Sequence, residues 1–471
     1  MLDASAALLN HGRAKPGSSH FEYAHVHRAQ GAGIPEDNIR ACAGLRFRLH
    51  SSSANNDSGA LTVEEAKMDL KSGSPYWMLK NAQSAFLAPL AANHRCDVLV
   101  VGAGISAALI ARSLGEAGMK VCLLEKRQVG WGSTSASTAL LQYEIDVELQ
   151  ALAQRFGIED GVLAYRSCEK AVIALTRLAR SLRKVDVRSM HSLYFSSHWY
   201  HERRLRREAA LRQRHGFKLE CLDADALQER FGLDAGVGLL SATAAEVDPV
   251  QFARCLLDRA QRDGAEIFER TQVVEITPTA RGVNARTAAG HVIRCKHLVI
   301  AAGYESQSFL DQRVARNRSS YALVTDPIPE TIGALQNCLV WESARPYLYA
   351  RSTREGRLIV GGEDDALDIP LRRDARLSKK AQAICARFQR RFAGIKLPVA
   401  FTWAGTFAET ADGLPFFGTH DQYGPRVHFA MAYGGNGITY SAIGAEIIRD
   451  HLLGSVHPCA TLFAFERLRR T

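Results

Sequence analysis

Hydrophobic and polar positions divide the chain before any other property is considered. Through residues 1–67 no apolar period of 2 or 3.6 is sustained, and Gly17-Ser18-Ser19 and Ser51-Ser52-Ser53-Ala54-Asn55-Asn56-Asp57-Ser58-Gly59 are polar runs, a pattern that predicts disorder. From Met68 the text changes, and Cys96-Asp97-Val98-Leu99-Val100-Val101 predicts a short strand buried on both faces. Ile105, Leu109 and Leu114 then recur at roughly helical spacing, with Gly118 as a stop. A second strand follows from Lys120 to Leu124. Asp146 is expected to cap a helix through about Phe156, with Gly157 as its stop. A longer helix follows, marked by Val162, Tyr165, Cys168, Val172, Leu175 and Leu178. Thr271-Gln272-Val273-Val274-Glu275-Ile276 and Leu298-Val299-Ile300-Ala301-Ala302-Gly303 predict further strands. Ile443, Ile447, Ile448 and Leu452 share one face of a late helix.

At 471 residues the chain is long enough for two or three domains, and 46% hydrophobic with 23% charged residues excludes a wholly disordered, collagen-like or coiled-coil protein. No apolar run approaches the length of a membrane span. A secretory leader fits poorly, because Asp3 stands where positive charge belongs, so the expected location is cytoplasmic. Residues 1–67 contain equal numbers of acidic and basic residues, so the net charge of +10 falls on the remainder. Ten scattered cysteines without a C-x-x-C read as reduced thiols, and no metal site is expected, His20, His25 and His27 included. The arginines between His201 and His215 are interleaved with Glu202, Leu205, Glu208 and Leu211. That spacing predicts a solvated amphipathic helix and not a nucleic-acid surface.

The chemistry begins at Gly102-Ala103-Gly104-Ile105-Ser106-Ala107, which sits between the first strand and its helix. Gly102 permits the tight turn, Gly104 lets backbone approach a pyrophosphate, and Ala107 allows close helix–strand packing. Phosphate oxygens can then meet the free N–H groups of the helix start. Glu125 lies 21 residues beyond Gly104, where a carboxylate can accept from ribose hydroxyls. After Lys126, the loop Gly132-Ser133-Thr134-Ser135-Ala136-Ser137-Thr138 can cover a bound dinucleotide with inward N–H groups or simply solvate itself.

These pieces together resemble the FAD-dependent oxidoreductases of the D-amino-acid oxidase/glycine oxidase superfamily, in particular its gamma-glutamylputrescine oxidoreductase-like branch. The likeness rests on Gly102 to Ala107 with Glu125, on Gly132 to Thr138, on Val273, on Ala302-Gly303, and on a C-terminal block. In that block Trp403-Ala404-Gly405 precedes Ala432-Tyr433-Gly434-Gly435-Asn436-Gly437-Ile438-Thr439. The resemblance covers about residues 68–471. It implies an α/β (α+β overall) fold, with a Rossmann-like FAD-binding domain and an interleaved antiparallel-sheet substrate domain. The implied FAD-binding parts are 68–190, 245–310 and 400–471, and the substrate parts are 191–244 and 311–399. It further implies that Val273 contacts adenine through its backbone, and that Gly434 to Thr439 lies beside the flavin pyrimidine. No cysteine stands near that turn and no histidine in the first loop, so noncovalent FAD is expected.

In the substrate half, alternation in Arg345-Pro346-Tyr347-Leu348-Tyr349-Ala350-Arg351 puts Tyr347, Tyr349 and Arg351 on one face of a strand. Two phenols and a guanidinium suit a carboxylate or an amine, with Arg351 as the anion partner and Arg345 as the alternative on the same face. The expected activity is oxidation of a C–N bond of a small amine or amino acid, with oxygen or another electron acceptor. A hydroxy-acid or polyol dehydrogenase, a tRNA-modifying flavoprotein and a flavin-binding protein without turnover are the competing readings.

Overall fold

The computed structural model of the chain describes residues 70–81, 86–366 and 368–469. The expectations for residues 1–67 therefore lie outside the described residues. Among the described residues, two sheets carry the architecture. The first has eight strands, and its central part runs in the order Val427–Met431, Val292–Ile300, His94–Val101, Val121–Leu124 and Glu266–Phe268. All four of these pairings are parallel. Phe416–Thr419 closes one edge antiparallel, and the hairpin Val273–Thr279/Gly282–Thr287 joins the ladder at Val292–Ile300.

Alternation assigns each strand residue to one of two cores. Val98, Val100, Leu123 and Val299 pack with the helices, whereas Leu99, Val101, Cys122, Leu124, Leu298 and Ile300 pack on the opposite face. Burial on both sides explains why these strands read as continuous apolar runs. Helix Ile105–Glu116 lies on this sheet between helices Pro249–Arg262 and Gly437–Leu452.

The second sheet has ten strands and is mostly antiparallel. Its order is Lys71–Gly73, Val399–Glu409, Arg316–Thr325, Leu358–Asp365, Tyr349–Ser352, Cys338–Glu342, Val187–Phe195, Val237–Val247 and Leu140–Gln142, with Leu219–Asp223 also paired to Val237–Val247. It draws on segments outside 191–244 and 311–399. Val399–Glu409 is a full member, bonded along the length of Arg316–Thr325. Lys71–Gly73 and Leu140–Gln142 form its edges. The sheet boundary therefore does not coincide with the sequence boundary at residue 400. Helix Pro370–Arg391 covers one face of this sheet through Ile384 and Phe388.

The arginine-rich segment is a helix, Trp199–Arg214, but its glutamates do not both face solvent. Glu208 is buried, pairs with buried Arg212 at 2.7 Å, and accepts the N–H groups of Leu149 and Gln150. The helix Leu149–Phe156 is thus capped by Glu208 from another element, and Asp146 does not serve as its cap. The nine described cysteines are free thiols. Among the described residues, no helix is long and apolar enough to cross a membrane.

Candidate functional site

The carboxyl ends of the parallel strands converge on the glycine turn. Gly102 has φ +113°, and a Cβ there would stand 2.5 Å from the Ala301 carbonyl oxygen, so the first turn and the Ala301-Ala302-Gly303 turn pack backbone to backbone. Thr134 Oγ1 accepts the Ile105 N–H at 3.0 Å, tying the second loop to the helix start. Gly132 precedes the short helical turn Ser133–Ala136, whose Ser133 hydroxyl is buried without a protein partner. Ser135 accepts from Lys71 Nζ at 3.1 Å.

Glu125 closes the second strand. Its carboxylate accepts the Ala103 N–H at 2.9 Å and the Arg127 N–H at 2.7 Å, and burial pushes its pKa up against those two donors. Lys126 is committed to Glu305 at 2.6 Å, so a role in holding a ligand falls to its backbone. Val273 is buried at the start of its strand.

At the other end, Gly434 has φ +89° and Gly437 begins the helix Gly437–Leu452. Asn436 Nδ2 donates to the carbonyl oxygens of Gln142 and Glu144 at 3.0 and 2.7 Å, and Thr439 reaches Gln142. Ser106 and Ser441 share a hydrogen bond of 2.6 Å, which locks the two helix starts together. Ile438 is buried beneath them, and Gly405 packs so closely on Ala136 that a Cβ would stand 2.8 Å from it. Two helix N-termini, a buried unpartnered Ser133 hydroxyl and a glycine-lined cradle between them fit a dinucleotide.

Next to that turn the structure gathers polar groups, several of which the sequence did not single out. Asp146 accepts the Gly435 N–H at 2.6 Å. The Tyr347 hydroxyl stands 3.2 Å from where a Cβ on Gly435 would be, and the Tyr304 hydroxyl 3.8 Å from the same point on Gly437. The rings of Tyr347 and Tyr349 lie 5.5 Å apart. Arg345 stacks over Tyr347 at 4.5 Å, donates to the Asp146 carbonyl oxygen, and is exposed. Desolvation raises the Tyr304 and Tyr347 phenols above their ordinary range and pushes Tyr349 up to about 12.

Arg351 does not join this group. It is 2% exposed, pairs with Glu246 at 2.8 Å, and donates to the carbonyl oxygens of Thr138, Ser352 and Val247. The expectation for Arg351 is corrected on these grounds. Its strand, Tyr349–Ser352, runs from the site into the interior, so one face meets two environments. Alternation gives the face and says nothing of depth.

A family model described as FAD dependent oxidoreductase (DAO) matches residues 97–451. Over 397 residues the chain is 26% identical to a glycine oxidase of Bacillus licheniformis, covering 80% of this chain and 98% of the relative. It is 24% identical over 374 residues to a gamma-glutamylputrescine oxidoreductase of Escherichia coli K12, covering 76% and 84%. Among solved structures, a glycine oxidase from Geobacillus kaustophilus superposes with a TM-score of 0.66 at 18% identity, over 79% of this chain and 98% of that one. An L-proline dehydrogenase from P. horikoshii gives 0.69 at 17%, over 80% and 99%.

Proposed function

The chain belongs to the DAO family of FAD-dependent oxidoreductases, and from that premise we propose that it oxidises the C–N bond of a small amine that also carries a carboxylate. FAD, held noncovalently, supplies when bound the acceptor for the hydride lost from the carbon beside nitrogen, and the resulting imine hydrolyses in water. The observation that carries the reading is Tyr347 against Gly435 of the Gly434 to Gly437 turn, with Arg345 stacked on its ring and Tyr349 beside it. Arg345 spends one N–H on the Asp146 carbonyl and offers its exposed fork to a carboxylate. Neutral phenols on Tyr347 and Tyr349 flank the substrate carbon and shield it from bulk water. Relatives named as amine and amino-acid oxidoreductases support the substrate class.

Glu125 would bind the adenosine ribose, the N–H groups of Gly104 to Ala107 and of Gly132 to Thr138 the pyrophosphate, and Val273 the adenine. Ala302, Gly303, Gly405 and the turn Gly434 to Thr439 would enclose the flavin. Anaerobic flavin reduction by carboxylated amines, their decarboxylated counterparts and hydroxy acids tests the proposal. Arg345→Ala should lower the preference for carboxylated amines at least about tenfold, the scale of a lost charged hydrogen bond. Equal reduction of the wild type by all three classes would refute it.

A further inference from the structure

Three consecutive acids end strand Leu358–Asp365, and they do not share a fate. Glu363 pairs with Arg387 at 3.2 Å, and Asp365 pairs with Arg376 and Lys380 at 3.0 and 3.1 Å while accepting the Tyr321 hydroxyl at 2.8 Å. Both lie on the face covered by helix Pro370–Arg391. Asp364 lies on the other face. The ladder shows why. Ser319 pairs with Asp365 and Tyr321 with Gly362, so Ser320 alone stands opposite both Glu363 and Asp364. This is a β-bulge, and Glu363 carries its strain at φ +56°.

The bulge aims Asp364 into the site. Ser320 supports its carboxyl group and also meets the Tyr349 hydroxyl at 3.3 Å, yet Asp364 Oδ1 is buried with no partner. The other acids around it are already engaged: Asp146 holds Gly435 and Glu409 is paired with Arg318, while Arg345 stacks on Tyr347 with its fork exposed. The neighbouring phenols Tyr347 and Tyr349 stay neutral. Burial, together with the charges of Glu409 and Asp146, lifts Asp364 to about 7 despite Ser320 and Arg345. An unpaired acid that titrates near neutrality beside two aromatic rings costs stability unless something cationic completes it.

We propose that Asp364 receives the substrate's ammonium group and takes one proton from it, so that the amine is oxidised as the free base. The step is balanced: the N–H bond breaks, the carboxylate becomes a carboxylic acid, and the nitrogen keeps its electron pair for the C–N oxidation. This inference rests on the amine reading above and assigns the base that reading lacks.

The test uses flavin-loaded wild type, Asp364→Asn and Asp364→Glu. Amine binding, read from the flavin absorption band, and anaerobic reduction are both followed from pH 5 to 10. The wild-type rate should rise through a limb near pH 7, as the carboxylate forms. Asp364→Asn should lose that limb, be slower by about a hundredfold or more at pH 7.5, and recover towards the amine's own ionisation. Asp364→Glu should keep a limb. If the Asn variant loses its flavin, Ser320→Ala serves instead. Without that donor the carboxylate is harder to form, so the limb should move to higher pH. An Asn profile like the wild type's, or an unmoved limb in Ser320→Ala, overturns the role of Asp364 and leaves the amine reading standing. Wild type that neither binds amines nor is reduced by them overturns both.

Discussion

Glu125 in one sheet and Arg351 and Asp364 in the other meet their partners in different ways. At a strand end of the eight-stranded sheet, Glu125 is satisfied by N–H groups two and twenty-two residues away in sequence. In the ten-stranded sheet the partners are remote. Arg351 meets Glu246, and Ser320 meets Tyr349 and Asp364, across strands joined by long connections. The first sheet presents backbone groups at its glycine turns. The second presents side chains whose depth and pairing only the complete ladder decides.

The sharpest way to break this contrast is Arg351→Ala. If Arg351 is a framework ion, its loss leaves the buried Glu246 with Arg188 as its remaining ion partner and the carbonyl oxygens of Thr138, Ser352 and Val247 without their donor; it should cost about 2–4 kcal/mol of stability, read by urea unfolding, while the substrate preference stays unchanged. A stable variant with altered preference would return Arg351 to the site. Glu125→Ala should act on the other sheet and weaken FAD by about 1–3 kcal/mol, measured by flavin titration. Flavin affinity left intact would show that the loop N–H groups suffice without the carboxylate.

A pH-dependent effect sharpens the status of Asp364. Its folded pKa near 7 lies above the ordinary 3.8, so it binds a proton more tightly in the native state. Stability should therefore fall as pH rises from about 4 to about 7. Asp364→Asn removes that slope, and its melting temperature should exceed the wild type's at pH 8 but match it at pH 4. An equal gain at both pH values would mean that the carboxylate is not the cause. The smallest expected effect is none at all. A chain beginning at Met68 should keep its flavin content and melting temperature, because among the described residues the strands of both sheets begin at Lys71 or later. Loss of flavin or a lowered melting temperature would assign residues 1–67 a packing role.

Legibility in the sequence follows the same division. Gly102 was readable as a tight turn because its positive φ of +113° calls for glycine whatever packs against it, whereas the partners of Glu125 and of the Gly434 to Thr439 turn, Ala103, Asp146 and Gln142, lie 22, 289 and 294 residues away in sequence and left no local mark. The late helix face was readable too, and Ile443, Ile447 and Ile448 are buried as its period requires. Asp146 was misassigned because a capping residue before an apolar period looks the same whether it caps that helix or reaches a turn far along the chain. Glu208 was likewise read as a surface acid, since nothing local reveals the partner helix it caps. Asp364 escaped notice because it stands in a run of acids that composition treats as equivalent. The one clue was Gly361-Gly362 inside a strand, which marks a bulge before any side chain is seen.

That bulge has a consequence for how the site can vary by descent. Glu363 is the extra residue, so its deletion would leave Asp364 directly opposite Ser320, still facing the aromatic pair. Deleting Asp364 instead would present Glu363 there, with a carboxylate one methylene longer. Insertions and deletions of a single codon can thus move, lengthen or retain the acid while every other strand keeps its register. Lineages that handle amines of different reach could diverge at this point through chain length alone.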